Sequence, residues 1–133
     1  MEPTAASRDR ELVARALASA GAVLVAYVGV VHEVIGRTLH PDGPAGFGGS
    51  VGWHAAGLGA IAAGGLLLLA ALGQARVPWR SIAAAVGGAG AFVALEDALL
   101  ERSFHLFAVT LPIAALAVAI GLRRVERSAQ GQE

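Results

Sequence analysis

Apolar residues fall into four long runs, separated by polar or Gly/Pro-rich breaks. The runs cover residues 12–36 (purest over 16–31), 51–72, 82–100 and 104–122. A helix needs about 20 residues to cross a hydrocarbon layer roughly 30 Å thick, and each run is near that length. Helices satisfy their own backbone hydrogen bonds, as lipid requires. The alternating pattern of a membrane barrel strand does not occur. The runs therefore predict an all-α integral membrane protein.

The breaks predict the connections. Residues 37–50 form the longest, and His40-Pro41-Asp42-Gly43-Pro44 within it is a turn sequence, because proline sets φ and glycine permits positive φ. Residues 73–80 form a short second loop, with Pro78 near the start of the third helix, and residues 101–103 a tight hairpin. Short connections favour antiparallel neighbours. The expected fold is a four-transmembrane-helix, up-down-up-down bundle making one domain over residues 1–133.

Composition agrees. Of the 133 residues 56% are hydrophobic and only 15% charged, and mean hydropathy is +0.64. The charged share is below the roughly 25% of ordinary soluble domains. Ten arginines balance ten acids, and lysine is absent. No basic excess remains for nucleic acid, and the expected surroundings are the lipid bilayer. Cysteine is absent, which removes disulfides, thiolate metal sites and cysteine nucleophiles. Arg8, Arg10 and Arg15 ahead of an apolar run resemble the start of a secretory signal. The cleavage-like Ala18-Ser19-Ala20 precedes most of that run, so an uncleaved first span is expected.

Charge also predicts orientation. Arg8, Arg10, Arg15, Arg76, Arg80, Arg123, Arg124 and Arg127 share one side of a four-span chain, against Arg37 and Arg102 on the other. The acids divide five and five, so the arginine-rich side carries a net +3 and the opposite side −3. The positive-inside rule puts both termini in the cytoplasm, and the expected location is a bacterial inner membrane. Trp53 and Trp79 fall at opposite ends of the second helical region, where interfacial tryptophans belong.

All four histidines (His32, His40, His54, His105) belong to the outer side. His32 and Glu33 lie about one turn inside the end of the first span, and His54 is in the first turn of the second. Glu96 and Asp97 lie near the outer end of the third, and His105 opens the fourth. Each helix thus contributes an ionisable group to one layer. Such groups are expensive at membrane depth and face the bundle interior or water. Glu33 and Arg37 are spaced for an i, i+4 pair. At the same spacing Asp97 and Glu101 repel, which a cation, a shared proton or Arg102 would relieve.

Imidazole with carboxylate suits a transition metal: Zn, Fe, Mn or Cu. His32, His54, Glu96 and His105 are the candidate ligands, with Glu33 and Asp97 as further ligands or as groups that orient the imidazoles. A b-type haem held by two facing histidines is a related expectation, with Gly29, Gly57 and Gly59 leaving room. The alternative is a structural or accessory membrane protein. Its polar layer would act only as hydrogen-bond glue between helices, in a homo-oligomer or a larger membrane complex. A third reading is a proton or solute pathway through Glu96 and Asp97.

Other motifs carry less. His32-Glu33-Val34-Ile35-Gly36 begins like the zinc-protease helix, but Gly36 stands where the second histidine belongs. Gly46-Phe47-Gly48-Gly49 follows no strand and is not a nucleotide fingerprint. No nucleophile elbow surrounds Ser50 or Ser103. Pairs such as Ala56/Ala60, Ala60/Gly64, Ala84/Gly88 and Gly87/Ala91 permit close approach between the second and third helices or at a dimer face. Pro112 is expected to free the Ala108 carbonyl and kink the fourth helix.

Overall fold

The computed structural model describes residues 4–39, 49–101 and 106–130. Among these residues there are four α-helices and no strand: α1 (Ala5–Leu39), α2 (Gly49–Ala71), α3 (Trp79–Glu96) and α4 (Leu106–Gln130). A π-helical turn, Asp97–Glu101, continues α3. All four helices are long and apolar enough to cross a membrane.

Local chemistry sets the helix ends. Thr4 caps α1, its hydroxyl accepting from the Ser7 N–H at 3.3 Å, the bond that satisfies one orphan donor of a first turn. The helix then runs through Arg8–Glu11 before becoming apolar, and Arg15 pairs with Glu11 one turn back at 2.9 Å. At the other end of α2, Gly73 adopts φ +72°. Gln74 N–H donates to the Leu69 carbonyl at 2.9 Å, and Gly73 N–H to Ala70 at 3.0 Å. This is a Schellman stop, in which glycine takes the left-handed position without a Cβ clash. Arg15 Nη1 adds a bond of 2.9 Å to the Ala71 carbonyl, placing a cation at the negative end of α2.

The packing order is α2–α1–α4–α3, with α1 lying along both α2 and α4, α3 lying along α4, and only slight contact between α2 and α3. Small residues line the seams. A Cβ on Gly121 would lie 2.5 Å from the Ala14 carbonyl oxygen, and one on Gly21 2.6 Å from that of Ala114. Gly90 faces the Pro112 segment, where a Cβ would sit 2.8 Å from the proline ring and 3.0 Å from the Ala108 carbonyl oxygen. α4 runs on through Pro112 as one helix, and α3 approaches it closely there. The close approaches join α1 to α2 and α4, and α3 to α4, rather than α2 to α3. Gly88, with Ala84 one turn away, faces open space.

Size is distributed inside out. The buried core is mostly alanine: Ala14, Ala18, Ala22, Ala71, Ala83, Ala114 and Ala115, with Val25, Leu67 and Val118 the largest fully buried side chains. The large apolar groups point outward, among them Tyr27, Val51, Phe92, Leu99, Leu100 and Leu116. Soluble monomers rarely expose apolar surface on this scale.

Candidate functional site

Two consecutive residues near the end of α1 meet two near the start of α2. His32 stacks on Trp53, with ring centroids 3.8 Å apart and planes inclined by 18°. Each ring also bonds the other residue's backbone. Trp53 Nε1–H donates to the His32 carbonyl at 3.1 Å, and His32 Nε2 lies 3.1 Å from the Trp53 carbonyl. A carbonyl can only accept, so His32 carries its proton on Nε2. The carbonyls belong to helical turns and gain these as additional bonds.

Beside this pair, Glu33 is buried and His54 half-exposed. His54 Nδ1 lies 2.7 Å from Glu33 Oε2. With a carboxylate as acceptor, Nδ1–H is the donor, and Nε2 is the ring's other nitrogen.

Two glycines make this geometry possible. A Cβ on Gly36 would run into the Trp53 indole, and one on Gly57 into the Glu33 carboxyl. The same spacing therefore occurs on both helices: His32, Glu33 and Gly36 on α1, and Trp53, His54 and Gly57 on α2. Each helix offers an aromatic ring, a polar partner and, one turn on, a glycine seat for a side chain of its neighbour. The sequence marks His32, Glu33 and His54 as site candidates, but Trp53 only as an interfacial tryptophan and Gly36 only as the residue that breaks the zinc-protease motif. The repeated spacing was the signal available for them.

The remaining candidates are placed differently. Glu96 is exposed and its neighbour Asp97 buried. The turn that Asp97 opens is π-helical, so the α-helical i, i+4 spacing assumed between Asp97 and Glu101 does not describe it. His105, His40 and Arg102 lie outside the described residues, as do the side chains of Arg37 and Glu101. Of the three glycines expected to leave room for a haem, Gly59 faces open space, but the room at Gly29 and Gly57 is taken. Gly29 abuts the Gly57 carbonyl, with a Cβ distance of 2.6 Å, and Glu33 fills the space at Gly57. Among the described residues, no group of three or more His, Asp or Glu side chains is placed to hold a metal ion.

The arrangement is suited to holding two helices in register. The His32–Trp53 bonds and the Glu33–His54 bond all cross the α1–α2 seam, at the opposite end of α1 from the Arg15–Ala71 bond. Protein-family models, characterised proteins and solved structures were all compared with this chain, and none of them matches it significantly.

Proposed function

We propose that the chain is an accessory integral membrane protein: a four-span, up-down-up-down bundle of the bacterial inner membrane with both chain ends in the cytoplasm. In this reading the His32–Glu33/Trp53–His54 layer locks α1 to α2 near the outer surface. The reciprocal bonding of His32 and Trp53 is the observation that carries it. That bonding commits His32 Nε2 to a backbone carbonyl and sets the ring face against an indole. A histidine held in this way serves packing, and interhelical polar bonds of this kind fix how membrane helices dock. The outward-facing apolar side chains are then covered by lipid, by a second copy or by a larger complex.

Because the chain contains no cysteine, single cysteines report topology directly. Ser50→Cys and Ser103→Cys are expected to react with a membrane-impermeant maleimide added to intact cells. Ser7→Cys and Ser128→Cys are expected to react only after permeabilisation. Labelling of all four positions from one side, or recovery of the chain in the soluble fraction, would contradict the proposal.

One observation favours a second reading. The buried Glu33 holds His54 Nδ1, and a carboxylate behind an imidazole is the usual support for a histidine that ligates through Nε2. A metal bound through His54 would need further ligands, with His105, Glu96 or Asp97 supplying them.

A further inference from the structure

The opposite end of the bundle carries a different chemistry. Two open clefts meet there at Trp79 and Arg80. One, of about 550 Å³, is walled by Arg15, Arg76, Trp79, Arg80 and Glu126. The other, of about 440 Å³, runs between α3 and α4 over Gly87, Gly88 and Ala115 and reaches Arg123. From Trp79 to Gly88 the trough is about 14 Å long at the helical rise. That is close to half of the roughly 30 Å hydrocarbon core, or one leaflet. Between its ends it is lined by glycine and alanine together with Pro112 and Leu116, and no other residue lies near the missing Cβ of Gly88.

We infer that this trough seats one acyl chain of an anionic phospholipid, whose phosphate is held at its mouth by Arg76, Arg80 and Arg123. Three observations on charge support that occupant. Glu126 is the only acid lining either cleft among the described residues. It accepts from Trp79 Nε1 at 2.9 Å and from Arg80 Nη2 at 2.7 Å, so it positions both side chains while the mouth keeps a positive excess. Arg80 also lies over the Trp79 ring, 5.4 Å from its centroid. Finally, α3 starts here after Pro78 with no side-chain cap and no acid in its first turn, leaving the positive end of its dipole facing the mouth. A second copy in the same orientation would bring its own arginine-rich end to this level, against like charge. Basic clefts between membrane helices on the cytoplasmic side are suited to anionic headgroups.

The site rests on the membrane reading, and one experiment separates the two. The whole chain is reconstituted in phosphatidylcholine vesicles that contain a minor fraction of phosphatidylglycerol with brominated acyl chains. Tryptophan quenching is compared with that from brominated phosphatidylcholine at the same fraction. Wild type is expected to prefer phosphatidylglycerol. Arg76→Ala with Arg123→Ala should lower that preference about fivefold per arginine, roughly 25-fold in all. Arg76→Lys with Arg123→Lys should retain most of it, which guards against misfolding of the alanine variant. Arg8→Ala with Arg10→Ala, removing equal charge from the same side, should change it little. Inorganic phosphate should leave the quenching in place, because it has no acyl chain to seat in the trough.

Equal losses in the two alanine variants would reduce the effect to diffuse surface charge and overturn the site. So would displacement by phosphate, or the lack of any preference in wild type. A chain that fails to float with the vesicles would refute the membrane reading itself.

Discussion

Replacing Gly121 by valine is expected to destabilise the folded chain by about 3 kcal/mol, the upper end of the overpacking range. A Cβ at this position meets the Ala14 carbonyl oxygen at 2.5 Å, with Ala18 N and Cβ each at 2.8 Å. Two of those three atoms are backbone, so no rotamer change can make room. The helices must separate, and the Ala18, Ala22 and Val118 core of the seam is exposed as they do. Gly65 is the control, because a Cβ there meets nothing within 4 Å, and Gly65→Val should alter stability little. Unfolding in mild detergent with a graded denaturant reads both. Equal effects at the two positions would mean that α1 and α4 do not touch as described.

Replacing Glu33 by alanine is expected to cost about 2 kcal/mol. A buried hydrogen bond to a charged group contributes about 1.5–3 kcal/mol, while bonds between membrane helices are weaker, about 0.6–1.7. The void left beside Gly57 adds to the loss. Glu33→Gln retains the shape and one oxygen acceptor, so it should keep most of the stability. Nitrogen chemical shifts of the His54 ring separate this bond from a general packing defect. Proton preference for Nδ1 should survive in Glu33→Gln and vanish in Glu33→Ala. An unchanged His54 tautomer in Glu33→Ala would mean that the two residues are not bonded.

The four apolar runs lie almost wholly within helices, because a helix satisfies its own backbone hydrogen bonds, which a long run without polar side chains requires. Helix ends were less legible. α1 begins at Ala5 and α4 ends at Gln130, well beyond the apolar runs, since Ala, Arg and Glu are good helix formers in water too. Hydropathy marks depth, not the end of a helix. The π-helical turn after Glu96 has no signature in the composition of Asp97–Glu101.

The sequence pattern puts His32, Glu33, His54, Glu96, Asp97 and His105 at one level; the structure bonds Glu33 to His54 and His32 to Trp53, while Glu96 is exposed and His105 lies outside the described residues. Choosing between Glu96 and Asp97 was beyond the sequence. Adjacent helical residues point about 100° apart, so one turned inward, and the partner face that decides which is a tertiary fact. The same limit applied to the small residues. Periodic pairs on one helix do not reveal the facing helix, and Gly21 and Gly121 matter because each abuts a carbonyl of a distant segment.

The claim that the polar layer is a helix clamp is tested most directly by transition-metal and haem analysis. The whole chain is purified in mild detergent without a metal-binding tag, then measured before and after incubation with metal salts and haem. A clamp predicts far less than one Zn, Fe, Mn, Cu or haem per chain, and an unfolding midpoint that none of them raises. Near-stoichiometric metal or haem that is lost in His54→Ala would contradict it and establish a ligand site built on the Glu33–His54 pair.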